Sequence, residues 1–170
     1  MFLPSGGHRY QAAWMMKSVA LSRYITVVAI AGVLVSTYAL YVEMAAEAHP
    51  GYKALCDIAE YASCSRVLTS EYSKGFGVMP KESSLEVPNC IYGILFYCIM
   101  ILLATFDQKF IVRLQFYLAI ASVASSVYLA YLLAFVLRDF CIVCVSTYFI
   151  NAALVGLVYK KDRLLTEKSK

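Results

Sequence analysis

The stretch LQFYLAIASVASSVYLAYLLAFVL-RD-FCIVCVSTYFINAALVGLVY, residues 114–159, decides the fold class. It contains uncharged runs of 24 and 20 residues, and only Arg138-Asp139 separates them. An α-helix needs about 20 apolar residues to cross the hydrocarbon core of a membrane. Each run therefore predicts a membrane-spanning helix, with a tight turn between the two. Transmembrane strands are disfavoured because the residues do not alternate in segments of about ten.

Two further uncharged runs complete the predicted bundle. Tyr24–Val42 has 19 residues and Val87–Phe106 has 20. The 170-residue chain is 61% hydrophobic and 15% charged, whereas soluble domains have about 45–50% apolar and about 25% charged residues. This composition excludes an ordinary soluble domain and a disordered chain. The sequence predicts an all-α integral membrane protein, a bundle of four transmembrane helices.

The distribution of charge predicts the orientation of the chain. Residues 1–23 and 160–170 each carry a net charge of +3, residues 107–113 carry +1, and residues 43–86 carry −3. Lys and Arg concentrate on the cytosolic side of membrane proteins. We therefore expect both termini in the cytosol and the long first loop on the opposite side.

These charges also predict the domain boundaries. We expect a cytosolic N-terminal segment 1–23, a four-helix membrane domain 24–159 with a cap loop 43–88, and a basic tail 160–170. Ala46-Glu47-Ala48 is a small-x-small pattern, so a cleaved signal peptide is an alternative interpretation. The uncharged run before it exceeds the 7–15 residues usual for such peptides, which favours an uncleaved span.

Cys141-Ile-Val-Cys144 forms a CxxC motif at the start of the fourth predicted helix. Residues three apart lie on one helical face. The partial positive charge of a helix N-terminus favours the thiolate form of a nearby cysteine. The motif therefore predicts a redox-active dithiol at the non-cytosolic membrane boundary.

Zinc binding is the competing use of a CxxC motif. A structural zinc site takes four ligands, usually from two close cysteine pairs or added histidines. The two histidines are His8 and His49, and Cys56 and Cys64 are separated by seven residues rather than two. The sequence therefore predicts no metal site.

The other four cysteines lie before the CxxC motif. Cys56 and Cys64 fall in the long first loop, in a compartment that permits disulfides. They are either a structural staple or a shuttle pair that exchanges electrons with the CxxC dithiol, and their spacing leaves both interpretations open. Cys90 and Cys98 fall in the second predicted span, where we expect small packing residues.

Polar and aromatic residues form stripes on two predicted helices. Cys141, Cys144, Tyr148 and Asn151 share one face of the fourth, while Asn89, Tyr92 and Phe96 share a face of the second. Asn151 is costly in mid-span unless it bonds within the bundle. The stripes indicate either contacts between helices or a pocket for a flat, lipophilic carbonyl compound with a thiolate at its mouth.

Over roughly residues 24–160, the sequence resembles the animal vitamin K epoxide reductase family. The resemblance rests on Leu55-Cys56-Asp57 with Cys64-Ser65, Lys74-Gly75-Phe76-Gly77, Asn89 with Tyr92-Gly93 and Phe96-Tyr97, Tyr128-Leu129-Ala130, and Phe140-Cys141-Ile142-Val143-Cys144 with Tyr148. It implies a four-helix bundle in the endoplasmic reticulum membrane with a lumenal cap. It also implies reduction of vitamin K 2,3-epoxide to the quinone and of the quinone to the hydroquinone.

The resemblance also implies roles for individual residues. Cys141 and Cys144 match the catalytic pair, with Cys144 contacting the naphthoquinone, and Cys56 and Cys64 match an electron relay. The substrate-binding positions are Asn89 and Tyr148 on the ketone oxygens, with Tyr92, Phe96, Leu129 and Leu133 lining the pocket. A thioredoxin-like lumenal oxidoreductase would be the electron donor, and coumarin anticoagulants such as warfarin would be inhibitors. We expect no tightly bound cofactor and no nucleic-acid partner.

Two alternatives differ in function. Bacterial relatives of this fold are quinone-coupled disulfide-forming enzymes, and the sequence does not set the direction of electron flow. A claudin-like four-span structural protein also carries a cysteine pair in its first loop. That class has a substantial second extracellular loop and a Trp-rich motif before the pair. In this sequence only Arg138-Asp139 joins the third and fourth predicted spans, where that loop would lie, and the sole tryptophan, Trp14, is in the predicted cytosolic segment. Both observations disfavour the claudin-like interpretation.

Overall fold

The computed structural model describes residues 6–49, 51–59, 61–77 and 87–168. It contains five α-helices in these ranges: α1 Gly6–Ala48, α2 Cys64–Leu68, α3 Asn89–Ala104, α4 Lys109–Tyr131 and α5 Ile142–Lys168. Helix α4 continues as a π-helical segment, Leu132–Leu137. No β-strand occurs among the described residues, which confirms the predicted helical class. Residues 1–5, 169–170 and the predicted cap residues 50, 60 and 78–86 lie outside the described part.

Three helices are long and apolar enough to cross a membrane, in the ranges Ala13–Ala48, Lys109–Leu137 and Ile142–Glu167. The second predicted span corresponds to a shorter apolar helix, α3, of 16 residues. At about 1.5 Å per residue it is roughly 24 Å long. It begins directly after Pro88 and ends in a turn in which the Thr105 amide bonds the carbonyl of Leu102.

Helix α1 extends beyond both ends of the predicted span Tyr24–Val42. The chain has no proline between Pro4 and Pro50, so nothing in the sequence stops the helix near Glu43. The predicted cap loop 43–88 was therefore wrong for its first six residues, 43–48, which are helical. Helix α5 likewise continues well past Tyr159.

Close packing joins helix α1 to helix α3. A Cβ atom on Gly32 would lie 2.5 Å from the ring of Tyr97, and one on Gly93 would lie 2.8 Å from the hydroxyl of Ser36. Only glycine permits these approaches, as is common where membrane helices meet through small residues. Two clusters of buried apolar side chains fill the bundle. One surrounds the cysteines, and the other lies around Tyr97, Met100 and Leu154.

Lys161 is completely buried, although we assigned it to a solvated basic tail. Its ammonium group donates to the hydroxyl of Ser22 at 2.8 Å and to the carbonyls of Ala104 at 3.0 Å and Phe106 at 2.9 Å. It also pairs with Asp107 at 3.0 Å. A cation at the last carbonyls of a helix satisfies its free acceptors. Lys161 therefore joins helices α1 and α5 to the C-terminal end of α3.

Candidate active site

A cavity of about 350 Å³ lies between helices α1, α3, α4 and α5 and the segment 67–76. This volume is within the range typical of small-molecule sites. Its wall is largely apolar. It includes Cys144 and all six residues assigned to substrate binding from the sequence: Asn89, Tyr92, Phe96, Leu129, Leu133 and Tyr148.

Cys141 and Cys144 occupy the first turn of helix α5 but face different surroundings. Cys144 is partly exposed and lines the cavity, whereas Cys141 is fully buried and does not line it. Cys141 holds the N-cap position, since its carbonyl accepts the amide of Val145 at 3.0 Å. Its sulfur accepts the amide of Cys144 at 3.3 Å. A side-chain acceptor at this position satisfies a free helix amide.

The predicted loop pair is present as a disulfide between Cys56 and Cys64. Both residues are buried, and they share one apolar cluster with Cys141 and Cys90, against which Cys144 packs. Cys64 begins helix α2, which Ser63 caps by accepting the amide of Arg66. The disulfide thus lies in the same cluster as Cys141 and, like Cys141, does not line the cavity.

Asp57 organises the loop that carries this disulfide. Its carboxylate accepts the amide and hydroxyl of Ser65 at 3.0 and 2.6 Å, and also the Ala54 amide and the Ser63 hydroxyl. Burial opposes ionisation of Asp57, but these hydrogen bonds outweigh it and lower the pKa of the carboxyl to about 2. Asp57 lies close to the sulfurs of Cys56 and Cys64. Those sulfurs are bonded to each other, so the three groups do not form a metal-ligand set.

Asp139 joins this loop to the turn before the CxxC motif. One carboxylate oxygen accepts the Ser63 amide at 3.2 Å, and the other accepts Nε of Arg66 at 2.6 Å. The amide of Phe140 donates to the carbonyl of Tyr61 at 2.9 Å. These contacts hold the segment that carries Cys64 against the residues that immediately precede Cys141.

Asn89 connects the second stripe to the wall above the cavity. Its side-chain oxygen accepts the Phe76 amide at 2.8 Å, and its side-chain nitrogen donates to the Tyr72 carbonyl at 2.7 Å. The second N–H of the Asn89 side chain bonds no described residue and can donate to another acceptor. The sequence did not predict these two hydrogen bonds, because it indicated only that the side-chain amide of Asn89 faces the cavity.

Phe76 covers the cavity in a strained turn. Its φ is +57°, between two glycines that also have positive φ. Its ring stacks on Tyr92 with centroids 5.5 Å apart, and its carbonyl accepts the hydroxyl of Tyr128 at 3.3 Å. A bulky residue at positive φ is uncommon and needs several contacts to hold it. Asn89, Tyr92 and Tyr128 supply these contacts.

A chain of hydrogen bonds crosses the inner part of the cavity wall. The hydroxyl of Tyr97 donates to the side-chain oxygen of Asn151, and the Asn151 nitrogen donates to the hydroxyl of Ser126, both at 2.9 Å. Ser126 then donates to the carbonyl of Ser122. The prediction that Asn151 bonds within the bundle is confirmed. Tyr148, by contrast, has a hydroxyl that bonds no described residue.

Comparison with known proteins identifies the family. The profile of the vitamin K epoxide reductase family matches residues 23–159. Vitamin K epoxide reductase complex subunit 1 of Rattus norvegicus is 43% identical over 136 residues, which cover 78% of this chain and 84% of the rat protein. The Mus musculus protein of the same name gives the same identity and coverage. The chain belongs to the vitamin K epoxide reductase family.

Membership of the vitamin K epoxide reductase family makes this chain a membrane oxidoreductase. The claudin-like structural alternative is therefore set aside.

Two features of the site have no counterpart in the sequence analysis. Asp139 was treated only as part of a neutral turn, and Cys90 was expected to be a packing residue. Cys90 does pack in the buried cluster, but it is also part of the cavity wall, and its thiol donates to the buried carboxylate of Glu43 at 3.5 Å.

Proposed function

We propose that this protein reduces vitamin K 2,3-epoxide to the quinone, and the quinone to the hydroquinone, with the Cys141–Cys144 dithiol as reductant. The observation that carries the proposal is the position of Cys144. It lies on the wall of an apolar cavity of suitable size, together with all six residues matched to substrate binding. A flat, lipophilic substrate suits walls made mainly of aromatic and aliphatic side chains.

The chemistry balances with the two thiols alone. The Cys144 thiolate adds to the substrate ring, and Cys141 then attacks the Cys144 sulfur and breaks the carbon–sulfur bond. The substrate gains two electrons, and the dithiol loses two as it becomes a disulfide. Epoxide reduction releases water and quinone, whereas quinone reduction releases hydroquinone.

Negative charge develops on a substrate oxygen during thiolate attack and needs hydrogen-bond donors. The hydroxyl of Tyr148 and the remaining N–H of Asn89 are donors on the cavity wall that no described residue engages. We assign these two groups to the ketone oxygens. Tyr92, Phe96, Leu129 and Leu133 supply the apolar wall, which coumarin anticoagulants such as warfarin would also occupy.

We further propose that Cys56 and Cys64 regenerate the dithiol. The disulfide shares a buried cluster with Cys141 rather than with the open cavity, which favours transfer through Cys64 and Cys141. The ultimate donor would be a thioredoxin-like oxidoreductase that attacks Cys56. This arrangement corresponds to an endoplasmic reticulum protein with a membrane domain 24–159, a lumenal loop 43–88, and cytosolic segments 1–23 and 160–170.

The test is turnover of vitamin K epoxide in detergent with excess dithiothreitol, comparing wild type with Cys144→Ala. We expect turnover by the wild type and none by the variant. If the wild type reduces neither epoxide nor quinone although it is folded, the proposal is wrong. Reduction of the quinone alone, dependent on Cys144, would favour a quinone-coupled disulfide-forming enzyme instead.

The relay has a separate test with two reductants. We expect Cys64→Ala, and the double variant Cys56→Ala/Cys64→Ala that leaves no stray thiol, to retain turnover with dithiothreitol. Both should lose turnover driven by a reduced thioredoxin-like protein. Equal loss with both reductants would show that the pair is only a structural staple.

A further inference from the structure

Glu43 is a buried titratable group that the proposed reaction does not use. It lies on helix α1, and only 1% of it is exposed. Five residues further on, the same helix ends at Ala48. A carboxyl group in this position needs an explanation, because burying an uncompensated charge is costly.

Both oxygens of Glu43 are bonded to side chains of the cavity wall. The Ser73 hydroxyl lies 3.5 Å from Oε1 and also donates to the carbonyl of Ser70 at 2.8 Å, while the Cys90 thiol donates to Oε2 at 3.5 Å. Ser73 and Cys90 both line the cavity that Cys144 lines. One intervening side chain therefore separates each carboxyl oxygen from the space assigned to the substrate.

The charged and titratable groups around Glu43 do not neutralise it directly. From its own helix it faces Glu47, from the segment above the cavity Lys74, and from helix α3 Cys90. Lys74 forms its ion pair with Glu47 at 2.9 Å. No described cation pairs with Glu43, whose direct partners are a hydroxyl and a thiol. Such a carboxyl group can bind or release a proton through these partners.

We propose that Glu43 relays protons to and from the cavity through Ser73 and Cys90. This inference rests on the proposed function. When thiolate attack places charge on a quinone oxygen, the Glu43 carboxyl gives its proton to the Ser73 hydroxyl, which passes its own proton to that oxygen. When Cys141 closes the disulfide, the proton that its thiol releases restores the Glu43 carboxyl. The second hydroquinone oxygen takes up the proton that Cys144 released on forming its thiolate, so the overall conversion is quinone plus dithiol to hydroquinone plus disulfide, and Glu43 is unchanged.

The test is a single turnover of pre-reduced protein with the quinone, measured across pH. Pre-reduction removes the pH dependence of an external thiol. The wild-type rate should fall at the alkaline end as Glu43 loses its proton. We expect Glu43→Gln to be slower by about 10²-fold, the scale of general acid catalysis, and to lack this alkaline fall.

The chain offers a matched control one turn along the helix. Glu47→Gln also removes a carboxylate near Lys74, but among the described residues Glu47 pairs with Lys74 and not with the cavity wall, and its side chain is 47% exposed. We expect this variant to keep the wild-type rate and pH profile. Glu43→Asp, which keeps the carboxyl group, should keep the alkaline fall at a reduced rate and so covers the case in which Glu43→Gln does not fold.

Two results would overturn the relay. A Glu43→Gln variant with the wild-type rate and profile would show that Glu43 is not used. A slower variant with the wild-type profile would show that Glu43 only positions Ser73 and Cys90. In both cases Cys144-dependent turnover survives in the wild type, whereas its absence would refute the proposed function and the relay together.

Discussion

Replacement of Asp139 should separate the relay disulfide from the catalytic dithiol. Asp139 accepts hydrogen bonds from Ser63 and Arg66, which flank Cys64 and its neighbour in the loop. Asp139 lies two residues before Cys141 in the chain. If the loop must rest on this turn for Cys64 to reach Cys141, weakening the contacts should slow only the transfer between them.

The structure sets the size of the effect. The Arg66 side chain is 57% exposed and that of Asp139 is 9% exposed, so the ion pair contributes about 1 kcal/mol. Asp139→Asn removes this pair but keeps an oxygen for the Ser63 amide. Asp139→Ala also removes that bond, for a total of about 2 kcal/mol. These values correspond to about fivefold and about thirtyfold losses.

The assay compares two reductants for each variant. The rate with a reduced thioredoxin-like protein, divided by the rate with dithiothreitol, should fall about fivefold in Asp139→Asn and about thirtyfold in Asp139→Ala, following the free energies above. The Cys64–Cys141 mixed disulfide, trapped by alkylation and identified by peptide mass, should decline in the same order. Arg138→Gln is the control, since it changes an exposed charge in the same turn.

The reasoning would be refuted by equal losses with both reductants. That result would mean that Asp139 maintains the first turn of helix α5 and not the docking of the loop. Unchanged ratios in Asp139→Ala would refute it as well, because the contacts would then have no influence on electron transfer.

Three further changes test other parts of the molecule. Tyr148→Phe removes the free hydroxyl from the cavity and should lower kcat by about 10²-fold, the usual cost of one such donor, while thermal stability stays unchanged. Lys161→Met removes the donor to the carbonyls of Ala104 and Phe106 and the ion pair with Asp107, so the free energy of unfolding should fall by about 3 kcal/mol in detergent, whereas Lys160→Met should have little effect. Because the pKa of Asp57 is lowered to about 2, its stabilising contribution is present above about pH 4 and is lost as pH falls toward 2. Thermal unfolding of Asp57→Asn should therefore differ from wild type at pH 7 and converge with it in acid.

The apolar elements of the fold could be predicted because they depend on local sequence. Uncharged runs gave the positions of the long helices, and helical spacing placed Asn89, Tyr92 and Phe96 on one face. The same spacing placed Cys141, Cys144, Tyr148 and Asn151 together. All of these residues line one cavity except Cys141, which is buried beside it. Periodicity within a helix is a property of neighbouring residues, so a single sequence contains it.

The polar contacts could not be predicted because their partners are far apart in the chain. Lys161 meets Ser22, 139 residues away, and Asp139 meets Arg66, 73 residues away. Counting charges treated Lys161 as a solvated cation, although the structure buries it. Glu43 was missed for a related reason. The charge of Glu43 suggested the end of the predicted span. Because no proline or glycine stops the helix near this position, helix α1 continues and the carboxyl group is buried.

The position of the CxxC motif at the start of helix α5 explains how one dithiol can face two different surroundings, the cavity and the buried cluster that holds the loop disulfide. Because Cys141 is the N-cap, its sulfur lies at the helix end, and Cys141 belongs to the same buried cluster as the loop disulfide. Cys144, one turn further along, faces the cavity. A motif placed deeper in the helix would put both sulfurs beside the substrate, and one placed in the loop would put both beside the relay. In the proposed reaction, the helix boundary between Cys141 and Ile142 would therefore let electrons enter at one sulfur and leave from the other.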